Sequence, residues 1–168
     1  EEAEDLAKKI SIGFPGSKIA EEIPLVNYNE QQDIKISHPS KQAHLYYGAP
    51  IIKRGDPDFL TLYLGNYILG GGGFVSRLTQ EIREDRGLAY SVYSYFMPFL
   101  EAGPFQIGIQ TKKDQVEEAK KIIQKTVSNF IKNGPTQKEL RRAKDFMIGG
   151  FPLRLDSNKS ILEYVSMM

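Results

Sequence analysis

The chain contains no cysteine, which removes disulfides, thiolate zinc sites, iron–sulfur clusters and a cysteine nucleophile together. Histidine is nearly as scarce, with only His38 and His44 in 168 residues. They stand six residues apart with no carboxylate between them. That matches neither H-E-x-x-H nor H-x-x-E-H, so no catalytic zinc is expected on this chain. An excess of either charge is also missing: 22 Lys+Arg against 21 Asp+Glu leave +1, too little for a broadly basic nucleic-acid surface. No apolar run approaches the ~20 residues a membrane-spanning helix needs. The opening EEAEDLAKKI lacks the basic start and apolar middle of a signal peptide. It has no initiator methionine either, and is expected to belong to a longer protein.

What remains is a globular composition, 40% apolar and 26% charged. The length suits one domain, or one plus a linker, and a core that buries ~70% of the unfolded chain's surface. Leu6 and Ile10 predict a short first helix. Gly13, Pro15, Gly16 and Pro24 then read as a linker, so the compact domain is expected to begin near Asp33. Two β-like runs follow, IKI at 34–36 and AHLYYGAP at 43–50, punctuated by Pro39. Asp56-Pro57 predicts a helix start, with the N-cap carboxylate ahead of a proline at the first helical position. This helix ends at Gly70–Gly73, and a second is expected over 75–86 with Gly87 as its C-cap. LAYSVYSYFMP (88–98) and the alternating Phe105, Ile107, Ile109, Thr111 read as an antiparallel hairpin. Helices follow over 114–133, from the capping box Thr136–Glu139, and from Ser157. The order ββ-αα-ββ-αα predicts an α+β fold: a two-layer α/β domain, mainly antiparallel sheet, with helices on one face.

Four consecutive glycines invite a phosphate-loop reading. G-x-G-x-x-G would need glycine at 75 or 76, where Val75 and Ser76 stand, and no Gly-Lys-Ser/Thr triplet exists. A tight turn with close backbone approach is the expectation. The segment Ile82 to Tyr90, taken alone, is a solvated, charged helix end running into a strand whose tyrosine belongs to core or interface.

LYLGNYILGGGGFVSRLTQEIREDRGLAYSVYSYF (62–96) closely resembles the second domain of the pitrilysin and mitochondrial-processing-peptidase family of zinc metallopeptidases. The pattern is an LGGG turn, Ser-Arg-Leu, an Arg-Glu pair and Gly-Leu-Ala-Tyr; it continues through GPF (103–105) and T-x-x-E-L (136–140). The resemblance covers about 33–160. It implies a two-half enzyme in which the first half carries H-x-x-E-H and the zinc. The second, zinc-free half supplies an Arg and a Tyr seven residues later to the active site. Arg83 and Tyr90 have that spacing. Residues 1–32 are then the expected tail of a preceding domain plus linker, and 33–168 the half-domain, truncated at its C-terminal end.

Peptide hydrolysis builds negative charge on the scissile carbonyl oxygen, and fixed donors aimed there stabilise the transition state. A guanidinium is always charged and a phenol is a good neutral donor. Arg83 and Tyr90 flank Gly87, where the chain reverses, so the two side chains can converge. The expected cofactor is zinc held by a homologous zinc-bearing half-domain or subunit, with none on this chain. The expected partners are that half and a peptide substrate, with no nucleic acid and no membrane span. The chain alone is expected to be inactive, and the resemblance leans toward a soluble, periplasmic or exported protein. The rival reading is a scaffold or assembly subunit that keeps the fold without the chemistry.

Overall fold

The computed structural model describes residues 2–14, 16 and 31–166. Its elements run α1 (Glu2–Ile12), β1 (Gln42–Ile52), α2 (Phe59–Asn66), β2 (Ala89–Phe96), β3 (Gly103–Lys112), α3 (Val116–Asn133), α4 (Gln137–Gly150) and α5 (Asn158–Ser166). The expected linker around Pro15 and Pro24 lies outside the described residues.

The sheet has three strands in the order β1-β3-β2, both pairings antiparallel. Period-two alternation in β3 decides which face is covered. Register places Leu45, Ile109 and Val92 in one row, and Tyr47, Ile107 and Ser94 in the next. These rows pack against Ala119 and Ile123 of α3 and against Leu69, Leu78 and Ile82. Leu78 and Ile82 have no exposed surface; burying a side chain of this size contributes about 1.5–3 kcal/mol. The other face carries Tyr46 and Tyr93 on either side of Gly108. The α+β architecture, with its antiparallel sheet, is as the periodicity predicts.

Several elements differ from expectation. Residues 34–36 form no strand, and Ile34 and Ile36 are 72% and 85% exposed. No described strand lies alongside them, since β1 pairs with β3 alone. The segment is held instead by Asp33 against Lys120 (3.4 Å) and by the Lys113 ammonium donating to the His38 carbonyl (2.9 Å). The order therefore opens on one strand of the domain, not two. The helix expected at Asp56-Pro57 begins at Phe59. Asp56 Oδ1 accepts from the Asp58 N–H at 2.9 Å, so its side chain closes a turn rather than a helix cap.

The two helices around the glycines are also less regular than the apolar spacing implies. α2 continues as a π-helical turn over Tyr67–Gly71, a 3-10 turn spans Gly73–Val75, and a second π turn spans Thr79–Glu84. The glycine run lets this bent segment lie directly on β2. A Cβ on Gly70 would sit 2.5 Å from Ser94 Oγ, 2.8 Å from the Ser94 nitrogen and 2.8 Å from Leu78 Cδ1.

Gly70→Ala is therefore expected to destabilise the domain by about 1–3 kcal/mol, as for an overpacked site. Gly149, inside α4 with open space around it, should gain about 0.5–1 kcal/mol as alanine. Urea midpoints of the two variants check this, and equal shifts of the same sign would contradict it.

Candidate functional site

Each residue of Ser-Arg-Leu has a separate structural task. The buried Ser76 hydroxyl donates to the Gly73 carbonyl at 2.8 Å and lies 3.0 Å from Thr79 Oγ1, tying the glycine turn to the helix after it. Leu78 fills the core. Arg77 reaches across to the α3–α4 turn: Nε and Nη2 donate to the two carboxylate oxygens of Glu139, both at 2.7 Å, and Nη2 also donates to the Gly134 carbonyl. Its guanidinium lies over the Phe130 ring. Glu139 closes the expected capping box with Thr136. The Arg77 hydrogen bonds come first among the causes that lower the Glu139 pKa to about 2, and Glu139 in turn raises that of Arg77.

This bolt fixes the helix that carries Arg83. Its end is closed by Gly87 in the left-handed region (φ 60°). The Gly87 N–H bonds to the Arg83 carbonyl and the Leu88 N–H to the Ile82 carbonyl. Both bonds span one residue more than a Schellman closure of an α-helix, as a preceding π turn requires. Leu88 then drops into the core, and its carbonyl accepts from the Thr111 hydroxyl at 2.6 Å. Ala89 pairs with Thr111 but Ser91 pairs with Gln110, leaving Tyr90 as the extra residue of a bulge. Bulges re-aim side chains, and Tyr90 is 85% exposed.

The reversal brings the two predicted residues together. Arg83 Cζ lies 5.1 Å from the centroid of the Tyr90 ring and 4.6 Å from that of Phe74. Its side chain is 31% exposed, and its ion pair with Glu84, Nε to Oε1, is long at 3.4 Å. Among the described residues, nothing accepts a hydrogen bond from the terminal Arg83 nitrogens or pairs with the Tyr90 hydroxyl. Both residues border an open cleft of ≈ 430 Å³, walled by the glycine turn and Phe74 on one side and residues 90–95 of β2 on the other. The Tyr93 and Tyr95 rings stack along this wall at 5.9 Å. Chemically, the cleft presents the Arg83 cation and the phenols of Tyr90 and Tyr93 to an oxygen-bearing ligand, whereas the Tyr95 hydroxyl already donates to Gln106 at 3.1 Å.

Phe74, Tyr93 and Tyr95 are site residues that the sequence reading did not single out. The signal for Phe74 was a large aromatic placed directly after four glycines. For the tyrosines it was the outward phase of a strand whose Val92 and Ser94 face in.

Zinc does not fit the residues present. His44 stacks on Tyr46, His38 lies in an exposed coil, and no group of three His, Asp or Glu among the described residues is arranged to hold a metal ion. Likewise, no described helix is long and apolar enough to cross a membrane.

The model of the peptidase M16 inactive domain matches residues 1–147. The chain belongs to the peptidase M16 family, as its inactive domain. It is 38% identical over 121 residues to a Bacillus subtilis (strain 168) protein called uncharacterized zinc protease YmxG, covering 72% of this chain and 29% of that protein. It is 37% identical over 152 residues to a Helicobacter pylori protein called non-peptidase homolog YmxG, covering 89% and 34%. A crystal structure of a peptidase M16 inactive domain from Pseudomonas fluorescens superposes with a TM-score of 0.92 at 39% identity, covering 99% of this chain and 39% of that one. A putative zinc protease from Bordetella pertussis shares the fold, with a TM-score of 0.63 at 21% identity over 77% and 71%. This M16 domain thus spans about a third of the length of the curated relatives named here. The family read from residues 62–96 is the family found.

The Arg77–Glu139 bolt sets a pH dependence. Unfolded Glu139 takes up a proton near pH 4.5, whereas the folded carboxylate refuses it until about pH 2. The bolt's stabilisation is complete above pH 4.5 and is lost as pH falls toward 2. With both side chains partly exposed, about 1–2 kcal/mol is expected. Urea midpoints should fall across this window in the wild type, and Glu139→Gln should flatten that part of the curve. An unchanged profile in the variant would contradict the assignment.

Proposed function

We propose that this domain is the zinc-free half of a zinc endopeptidase and supplies Arg83 and Tyr90 to the substrate side of the active site. The zinc would be held by a homologous half-domain or partner subunit. The observation that carries the reading is the convergence of Arg83 and Tyr90 at one open cleft, with the terminal Arg83 nitrogens and the Tyr90 hydroxyl unpaired among the described residues. A structural arginine uses its donors internally, as Arg77 does. Arg83 keeps them.

The cleft borders residues 90–95 of β2, and an extended peptide segment suits such a strand-lined groove. Arg83 and Tyr90 would hold the substrate carbonyl and, as the tetrahedral intermediate forms, the oxyanion. This reading takes residues 33–168 as the half-domain and residues 1–32 as the tail of a preceding domain plus linker.

One observation favours a second reading, that of a scaffold or assembly subunit. The Helicobacter pylori relative is called a non-peptidase homolog. The two readings separate in the protein assembled with its homologous half. For the peptidase, Arg83→Ala and Tyr90→Phe should each lower turnover about 10²–10³-fold, as for loss of an oxyanion donor, with stability within ~0.5 kcal/mol of wild type. Unchanged turnover in both variants of the assembled, zinc-loaded protein would refute the role. No peptide hydrolysis from the wild-type assembly would favour the scaffold.

A further inference from the structure

Two arginines six residues apart are ordered in opposite ways. Arg77 is fixed through its N–H groups, which Glu139 and Gly134 occupy. Arg83 has no such acceptor among the described residues; its Nε–Glu84 contact of 3.4 Å is too long to fix a side chain of this flexibility. What lies against the Arg83 guanidinium is aromatic: Phe74 at 4.6 Å and Tyr90 at 5.1 Å. A cation held over rings keeps its hydrogen-bond donors free, whereas a cation held in a salt bridge does not.

Phe74 is 67% exposed, so removing its ring costs the core little. It follows Gly73, whose φ of 59° turns the chain into the short 3-10 segment on the rim of the cleft. An exposed phenylalanine here has a poor solubility rationale and a clear geometric one. We propose that Phe74 is a positioning residue of this site, which acts with the Tyr90 ring to hold the Arg83 guanidinium toward the cleft while leaving its terminal nitrogens free for substrate oxygen. The ordering claim stands on ring contacts alone. Its consequence for turnover rests on the reading of Arg83 as a substrate-facing donor.

Phenylglyoxal modification of the full-length protein, read by mass spectrometry, tests the ordering. The exposed Arg154 is the internal reference. Phe74→Ala should raise the Arg83 rate several-fold relative to Arg154, and Phe74→Tyr, which restores the ring, should return it to the wild-type value. Matched unfolding midpoints exclude a global effect. In the assembled peptidase, Phe74→Ala should lower kcat by about two- to fivefold, the scale of one ring–cation contact. KM should change little, and Phe74→Tyr should recover kcat. An unchanged Arg83 rate in Phe74→Ala overturns the proposal whatever the kinetics. A faster rate with unchanged turnover upholds the ordering and overturns the donor role of Arg83 instead.

Discussion

The arrangement of the cleft depends on how closely the glycine turn can approach β2. Without a Cβ, Gly70 sits against the Ser94 backbone and the Leu78 side chain, and that distance decides where the following residues stand. Asn66, just before the turn, accepts from the Ser94 hydroxyl at 2.7 Å and locks the contact laterally. Phe74 is thereby carried to the rim, and Ser76 ties the turn to the helix that bears Arg83. Arg77 anchors that same helix from the far side, on the α3–α4 turn. Arg83 is thus placed by four constraints that do not use its own hydrogen bonds.

Much of the fold was legible because its periodicities are clean. The alternation at 105–111 fixed β3 and its buried face, and the four-residue spacing of Ala119 and Ile123 fixed the inner side of α3. The capping box at Thr136–Glu139 marked a helix start because a local pair of side chains satisfies it. IKI at 34–36 misled for the opposite reason. A strand needs a neighbour as well as a pattern, and the β1-β3-β2 order provides none there. Asp56-Pro57 misled because an aspartate that can cap a helix can equally close a turn two residues on.

At the site, spacing and the Gly87 reversal were enough to bring Arg83 and Tyr90 together. The devices that aim them were hidden. π-helical turns have no distinct side-chain pattern, so a shift of one residue in the closing bonds could not be anticipated. The bulge at Ala89–Tyr90 arises from register against β3, a pairing between segments about twenty residues apart. The role of Arg77 was likewise invisible locally, since its partner lies 62 residues away. Ser-Arg-Leu and Gly-Leu-Ala-Tyr emerge as two halves of one construction: the first anchors a helix, the second turns the chain and ejects a tyrosine.

In the proposed role, Arg83 and Tyr90 would face the carbonyl to be cleaved. The most direct measurement is a crystal structure of the full-length, hydrolysis-incompetent protein with a bound peptide. The account predicts an Arg83 terminal nitrogen and the Tyr90 hydroxyl both within hydrogen-bond reach, about 2.7–3.1 Å, of the scissile carbonyl oxygen. A peptide bound elsewhere, with the Arg83–Tyr90 cleft facing solvent or packed against another domain, would contradict it.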